Sequence, residues 1–157
     1  MESYGKFSRI YDELMNEDID YQKIADFIMS YTEKHSYYLD LGTGTGNLSS
    51  LISPYFKETY LVDLSPDMLT IASDKFMRKD IPHQAFAIPM DEIQFSKKFD
   101  LITSSIDSIN YLIEEDQVKN LFMKVFAHLE DDGVFIFDLN SPYKIKEILG
   151  NNEYIYN

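Results

Sequence analysis

The sequence predicts a doubly wound α/β domain built on a mainly parallel sheet, and three observations support this prediction. Short apolar segments alternate with amphipathic segments of helical periodicity along the chain. The apolar segments are hydrophobic at nearly every position, which is typical of strands covered on both faces. Glycines cluster directly after the first of these segments. In this fold class a ligand is expected there, beyond the carboxyl ends of the strands and near the switch point of the sheet.

The size and composition of the chain indicate one cytoplasmic domain. With 157 residues and a mass of 18.4 kDa, the chain can form one sizeable core. We expect a single domain over 1–157, with a helical N-terminal part over 1–35 and a core over 36–150. No apolar run is long enough to span a bilayer, and the first residues lack the basic and apolar regions of a secretory signal.

The charge and the lack of cysteine exclude or disfavour several functions. The formal net charge is −13, which disfavours nucleic acid as a partner because such binding depends on lysine and arginine to neutralise phosphates. The chain has no cysteine, so disulfides, thiolate metal sites and cysteine nucleophiles are excluded. We expect no metal site.

The N-terminal part predicts two helices. Apolar residues recur at helical spacing over residues 3–16. Asp20 is a suitable N-cap for a second helix that would run to about His35. The apolar face predicted for this second helix consists of Ile24, Phe27, Ile28 and Tyr31.

The middle of the chain predicts two strands, each followed by a helix. Ser65-Pro66-Asp67 is a strong helix start, with a serine cap, proline at the first helical position and a carboxylate near the positive end of the helix dipole. The predicted elements are a strand from Tyr37 to Leu41, a short helix from Gly46 that is ended by Pro54, a strand from Thr59 to Val62, and a helix from Ser65 to about Lys79.

The alternation continues through the last third of the chain. An Asp132-Gly133 pair predicts a turn between a helix and the most apolar strand. The predicted elements are a weak strand from Gln84 to Ile88, strands from Phe99 to Ser104 and from Val134 to Leu139, and helices from about Glu115 to Leu129 and from Pro142 to about Leu149.

The glycine cluster has the spacing Asp40-x-Gly42-x-Gly44-x-Gly46. Glycines allow the backbone to turn sharply and to approach a ligand closely. A dinucleotide fingerprint, G-x-G-x-x-G, would need glycine where the chain has Asn47. Asp40 suits a ligand with positive charge, such as the ammonium of a methionyl group. Asp63, at the end of the second strand, can accept both hydroxyls of a ribose, so the pattern favours adenosine linked to an amino acid.

These segments resemble a known family. Residues 38–48 closely resemble motif I of class I S-adenosylmethionine-dependent methyltransferases, and residues 61–69 resemble their second motif. Residues 4–15, 107–111 and 134–140 resemble a bacterial subgroup of the small-molecule type. The resemblance implies a Rossmann-like core, S-adenosyl-L-methionine as the cofactor and a small molecule as the methyl acceptor.

The resemblance also implies roles for individual residues. The glycine loop would line the methionyl and ribose portions of the cofactor, Asp63 would hold the ribose hydroxyls, and apolar side chains would pack on the adenine. The cofactor-binding residues implied are Tyr11, Asp40, Gly42, Thr43, Gly44, Gly46, Asp63, Leu64, Met68, Met90 and Ser105. Tyr11 and Met68 also fit ordinary core positions.

Asp107 and Asn110 are the candidates for orienting or deprotonating the acceptor. Both follow the fourth strand of the predicted sheet. A role in capping the loop is the alternative for both residues. Methyl transfer from a sulfonium needs little acid–base machinery, because positioning of the nucleophile does most of the work.

Two departures from the family pattern stand out. The family usually carries a carboxylate after the third strand, and here Pro89 occupies that position without an acceptor side chain or an N–H. The complete fold has seven strands, of which about five are present here, so strands six and seven would be missing. Val134–Leu139 would then lie on or near an open edge, where pairing with a second copy of the chain is expected. We therefore expect a fragment.

Three functions are compatible with the sequence. The first is a small-molecule methyltransferase or the cofactor-binding part of one. The second is a non-catalytic module that binds S-adenosylmethionine. The third, a nicotinamide-dependent oxidoreductase, is disfavoured by Asn47 and Asp40. The sequence does not identify the acceptor.

Overall fold

The computed structural model describes residues 19–105, 109, 112 and 114–138. The helices predicted over residues 3–16 and from Pro142 lie outside these residues. The elements described are α1 (Tyr21–Ser30), β1 (Tyr37–Leu41), α2 (Ser49–Ile52), a 3₁₀ turn (Ser53–Tyr55), β2 (Glu58–Val62), α3 (Pro66–Arg78), β3 (His83–Phe86), a second 3₁₀ turn (Met90–Glu92), β4 (Phe99–Ser104), α4 (Glu115–His128) and β5 (Leu129–Phe137).

The five strands form one parallel sheet with the order β3-β2-β1-β4-β5. The order reverses between β1 and β4, so the connections leave in opposite directions at this point. The predicted doubly wound α/β architecture is confirmed. Because a ligand in such a sheet binds outside the carboxyl ends at the reversal, the ends of β1 and β4 are where a site is expected.

Apolar side chains cover both faces of the sheet. Leu39 and Leu41 of β1 pack into one cluster with residues of β2, β4 and α4. Tyr38, which points to the other face, packs with Ile28 of α1 and with Ile52. Burying each large apolar side chain contributes about 1.5–3 kcal/mol. This two-sided burial explains why β1 is apolar at almost every position.

The predicted helix caps at Asp20 and Ser65 are confirmed. A carboxylate oxygen of Asp20 accepts from the backbone N–H of Lys23 at 3.0 Å, and Ser65 Oγ accepts from Met68 N–H at 3.3 Å. Pro66 occupies the first turn of α3. Each cap satisfies one of the backbone donors that a helix start leaves free.

The length and the buried face of α1 differ from the prediction. The helix ends at Ser30, five residues before His35. Phe27 and Tyr31 are 57% and 58% exposed and pack edge-to-face on each other. The buried residues of α1 are Ala25 and Ile28. The buried face of α1 is therefore rotated by about one residue from the predicted face. The prediction was wrong for Phe27 and Tyr31.

Smaller differences occur beside the prolines. The helix predicted from Gly46 is a single turn, Ser49–Ile52, followed by a 3₁₀ turn that contains Pro54. Strand β3 ends at Phe86, two residues before the predicted end. Pro89 lies directly before the second 3₁₀ turn, and its missing N–H is unsuited to extending the strand ladder.

The predicted Asp132-Gly133 turn was wrong, because both residues lie within β5. Phe99 pairs with Leu129, but Leu101 pairs with Val134, so the extra residues of β5 form an irregularity. A Cβ on Gly133 would lie 2.9 Å from the carbonyl oxygen of Phe99, which explains the glycine. The turn residues thus bend a strand rather than separate two elements.

Strand β5 is the outermost strand on one side of the described sheet, which agrees with the predicted edge position. Leu139, the predicted end of this strand, lies outside the described residues. Among the residues that are described, no helix combines the length and the apolar character that crossing a membrane requires.

Candidate functional site

Most of the predicted site residues lie at one edge of the sheet. Asp40 is near the end of β1, Asp63 follows β2, and Ser105 follows β4. Met90 begins the 3₁₀ turn after β3. Because these strands are parallel, their carboxyl ends share an edge, so the structure brings these residues to the same side. Tyr11, Asp107 and Asn110 lie outside the described residues.

The glycine loop has a backbone that glycine alone adopts readily. Gly42, Gly44 and Gly46 have φ values of 76°, 58° and 78°, in the left-handed region that costs other residues free energy. A Cβ on Gly46 would lie 3.1 Å from Ala72 Cβ of α3. Among the residues that the structure describes, none has an atom within 4 Å of a Cβ placed on Gly44. Gly46 therefore serves close packing, whereas Gly44 borders open space that a ligand can enter.

The start of the loop is fixed by the neighbouring strand. The backbone N–H groups of Gly42 and Thr43 both donate to the carbonyl oxygen of Val62, at 2.8 and 3.0 Å. The hydroxyl of Thr43 donates to the carbonyl oxygen of Asp40 at 3.0 Å. These bonds hold the loop against the end of β2.

Asp63 links three segments of the site. One carboxylate oxygen accepts from Gly44 N–H at 2.8 Å, and the other accepts from Ser65 N–H at 2.9 Å. Each carboxylate oxygen has two lone pairs, so each can accept one further hydrogen bond. The arrangement leaves capacity for two hydroxyl donors, as a ribose would provide.

Asp40 is a buried carboxyl group beneath the loop. It is 5% exposed and accepts from the hydroxyl of Thr103 at 2.7 Å. The pKa of Asp40 is raised to about 7, mainly because burial removes the carboxyl group from water and disfavours its charged form, and the negative charge of Asp63 acts in the same direction. The hydrogen bond from Thr103 acts in the opposite direction.

Three residues outside the predicted site support it. Thr103 is the register partner of Asp40 on β4, and its hydroxyl also lies 2.7 Å from the Tyr38 hydroxyl. Lys75 of α3 donates to the carbonyl oxygen of Thr45 at 2.9 Å and to the side-chain oxygen of Asn47. The sequence alone did not indicate these residues, because their roles depend on the order of the strands and on how the helix packs on the sheet.

Apolar side chains flank the loop on the β2–β3 side. Leu64 is 70% exposed, which leaves its side chain available to cover a ligand. Met68 and Met90 are half-buried. Pro89 lies in extended backbone, and its carbonyl oxygen accepts from Glu92 N–H at 3.1 Å. Asp91, the nearest substitute for the carboxylate of the family, is 7% exposed.

The geometry favours a ligand with cationic and hydroxyl groups. Asp63 contacts Gly44 and Asp40 is buried beneath the loop, and a nearby positive charge would stabilise each carboxylate. Across the described ranges, no three His, Cys, Asp or Glu side chains are close enough to hold a metal ion. A cavity of about 390 Å³ lies elsewhere, between the segment before β1 and β5, and is lined by Tyr31, Glu33, Lys34, Asp132 and Val134.

The chain is similar to known proteins in sequence. Residues 39–133 match the family described as a methyltransferase domain. A protein from Geobacillus sp. (strain WCH70), described by name as a candidate methyltransferase, is 34% identical over 154 residues, which cover 93% of this chain and 61% of that protein. The chain thus spans about three fifths of the length of this relative.

Two further relatives carry more specific names. The crystal structure of an S-adenosylmethionine-dependent methyltransferase from Clostridium acetobutylicum ATCC 824 superposes with a TM-score of 0.86 at 43% identity, over 99% of this chain and 65% of that chain. A dTDP-3-amino-3,4,6-trideoxy-alpha-D-glucopyranose N,N-dimethyltransferase from Streptomyces venezuelae is 31% identical over 119 residues, which cover 73% of this chain and 47% of that enzyme.

Proposed function

This chain belongs to the methyltransferase domain family, and from that premise we propose that it binds S-adenosyl-L-methionine and transfers its methyl group to a small molecule. The observation that carries the proposal is the hydrogen bond from Gly44 N–H to the Asp63 carboxylate at 2.8 Å. No atom of the described residues lies within 4 Å of the position that a Cβ on Gly44 would occupy. The family membership removes the support for a nicotinamide-dependent oxidoreductase.

The residues present fit this cofactor. The free lone pairs of Asp63 suit the two ribose hydroxyls, and the exposed Leu64 with the half-buried Met68 and Met90 suits an adenine ring. Asp40 provides negative charge under the loop for the cationic methionyl portion. Pro89 offers no side-chain acceptor for the adenine amine, so we propose that adenine is held mainly by apolar packing.

The chemistry asks the protein mainly for orientation. The bound cofactor supplies an activated methyl group on a positively charged sulfur. The glycine loop and Ser105 would fix the direction of the methionyl chain, because rate acceleration here depends on alignment and proximity. Asp107 and Asn110 follow β4 in the sequence, and we propose that they orient or deprotonate the acceptor.

The acceptor proposed is a small molecule. One relative is named for the N,N-dimethylation of a nucleotide-linked amino sugar, which makes amines a reasonable first class of acceptor to test. The net charge of −13 argues against nucleic acid as the substrate. A cytoplasmic location is part of the same proposal, and fractionation of cells tests it.

Calorimetry tests the cofactor claim. Titration of the protein with S-adenosylmethionine and S-adenosylhomocysteine should give saturable binding, whereas NAD should give none. Binding of NAD alone, or of none of the three, would contradict the proposal. The matched control is Asp74→Asn, a change at an exposed ion pair with Arg78 on α3, which should leave binding unchanged.

Methyl release separates an enzyme from a non-catalytic binding module. Cofactor carrying a labelled methyl group should lose the label to an amine-containing small-molecule fraction in the presence of the protein. Binding without any transfer across a broad panel of acceptors would favour the non-catalytic module.

We also propose that two copies of the chain pair along β5. This strand is the outermost strand on one side of the described sheet. The aromatic rings of Phe135 and Phe137 on β5 pack with that of Phe122 on α4. An antiparallel pair about a two-fold axis near Ile136 would satisfy both edges and keep the acidic residues at the start of β5 apart. Sizing with light scattering should give a dimer that Ile136→Pro disrupts, and a monomer at all concentrations would contradict this.

A further inference from the structure

A chain of three buried polar groups links β1 and β4 beneath the glycine loop. The Tyr38 hydroxyl lies 2.7 Å from Thr103 Oγ1, and Thr103 Oγ1 donates to Asp40 at 2.7 Å. Tyr38 and Thr103 are fully buried, and Asp40 is 5% exposed. Buried hydroxyls in strands of such a sheet are costly unless their hydrogen bonds are satisfied, so their alignment with a carboxyl group needs a reason.

The charge of Asp40 determines the direction of this chain. An ionised carboxylate only accepts, so Thr103 must give it its single proton, and Tyr38 must then donate to Thr103. All three groups are satisfied in this arrangement. If Asp40 is protonated and donates to Thr103, the Thr103 proton turns to Tyr38, and the Tyr38 proton has no acceptor that the described residues provide. The hydrogen-bond chain thus favours the ionised state of Asp40.

We propose that Tyr38 and Thr103 are positioning residues that hold the Asp40 carboxylate ionised and fixed when the cationic cofactor binds, so that binding releases a proton from Asp40. This inference rests on the proposed function. Because Tyr38 and Thr103 are fully buried, both would act on the ligand through Asp40.

The electrostatics of the site provide the driving force for this proton release. Burial holds the pKa of Asp40 at about 7 without a ligand, and the charge of Asp63 contributes in the same direction. The other titratable group facing Asp40 is Tyr38, whose own pKa is well above its usual value because it is buried, so it keeps its proton. A cation beside Asp40 favours the carboxylate and lowers its pKa.

The test is calorimetry of S-adenosylhomocysteine binding in two buffers of different ionisation enthalpy, which counts the protons released. At pH 6, where an α-amino group remains cationic, the wild type should release about nine tenths of a proton. Asp40→Asn should release about none. Between pH 6 and pH 7.5 the affinity of the wild type should rise about eightfold, and that of Asp40→Asn should stay flat.

The positioning role is tested by changing the two hydroxyls. Thr103→Val should weaken binding at pH 7 by about tenfold or more and shift the pH profile upward, because a hydrogen bond to a charged group is lost. Thr103→Ser should restore the wild-type profile, and Tyr38→Phe should shift it in the same direction as Thr103→Val. Thr59→Val is the matched control, since the buried Thr59 hydroxyl of β2 has no hydrogen-bond partner within the described part of the chain and its loss should leave the profile unchanged.

The outcomes separate this proposal from the function on which it rests. Wild-type binding without proton release at pH 6, or a Thr103→Val profile identical to the wild type, overturns the positioning role while the cofactor claim stands. No binding of the ligand by the wild type overturns both. Thermal melts of each variant at pH 6 and pH 7.5 identify any variant that is unfolded, in which case the Tyr38→Phe profile decides.

Discussion

The carboxylate of Asp63 accepts a hydrogen bond from the backbone N–H of Gly44 at 2.8 Å. This single contact joins the end of β2 to the loop after β1, at the edge where a doubly wound sheet binds its ligand. Asp63 therefore shapes the loop before any ligand arrives. A residue predicted as a ligand contact is also part of the scaffold of the site.

Removal of the Asp63 carboxylate should affect both stability and binding. Asp63→Ala leaves the N–H groups of Gly44 and Ser65 without their acceptor, so we expect a loss of about 1–3 kcal/mol in the free energy of unfolding. Asp63→Asn keeps one acceptor oxygen and should lose less. Urea unfolding and calorimetry with S-adenosylhomocysteine measure the two effects. Equal stability and affinity in all three proteins would contradict the role of Asp63.

The two glycines of the loop should respond differently to alanine. Gly46→Ala combines a positive φ with a Cβ 3.1 Å from Ala72, so strain and overpacking should cost about 2–4 kcal/mol. The methyl group of Gly44→Ala would meet no described atom within 4 Å, so this change should cost only about 1–2 kcal/mol.

Ligand affinity should respond in the opposite order. Among folded molecules, Gly44→Ala should weaken binding more than Gly46→Ala does. The methyl group of Gly44→Ala would occupy the open space beside Asp63 and should weaken binding of S-adenosylhomocysteine by more than tenfold. Thermal melts and calorimetry provide the readouts. A Gly44→Ala variant with unchanged affinity would show that the ligand does not approach this part of the loop.

The stability of the free protein should fall as the pH rises toward neutrality. Asp40 has a pKa of about 7 in the fold against an ordinary value of 3.8, so between these pH values the folded state holds a proton that the unfolded state has lost. Asp40→Asn removes this dependence and should be more stable than the wild type at pH 8 by roughly 2–4 kcal/mol, with the difference vanishing near pH 4. Denaturant unfolding across this range measures it, and parallel curves for both proteins would refute the assignment.

Lys75 should stabilise the glycine loop from α3. Lys75→Met removes donors to the carbonyl oxygen of Thr45 and to Asn47, and we expect a loss of about 1–2 kcal/mol. The control is Lys119→Met, which breaks an exposed ion pair with Glu115 on α4 worth about 0.3–0.5 kcal/mol. Equal effects of the two changes on the unfolding midpoint would argue against a role for Lys75 in the loop.

Local signals in the sequence predicted most of the fold. The boundaries of β1 and β4 and the caps at Asp20 and Ser65 agree with the structure, because strand burial and helix capping depend on residues close in sequence. The irregularity at Gly133 was predicted as a turn, since turn residues look alike whether they end a strand or bend it. Only the pairing with Phe99 distinguishes the two.

The site could be predicted at its motifs but not at its supports. Gly42, Gly44 and Asp63 follow from a spacing that reflects backbone conformation and ligand chemistry. Tyr38 and Thr103 required the register of β1 against β4. Such partners are more than 60 residues apart in the sequence, and no local pattern indicates that they meet.

A crystal structure of the protein with S-adenosylhomocysteine tests the central claim most directly. We predict density across Gly42–Gly44 at the carboxyl ends of β1 and β4. The ribose hydroxyls should lie within hydrogen-bond distance of the Asp63 carboxylate, and the adenine should lie beside Leu64. Density elsewhere, such as in the cavity beside Tyr31, Lys34 and Asp132, with the glycine loop empty at saturating ligand, would contradict it.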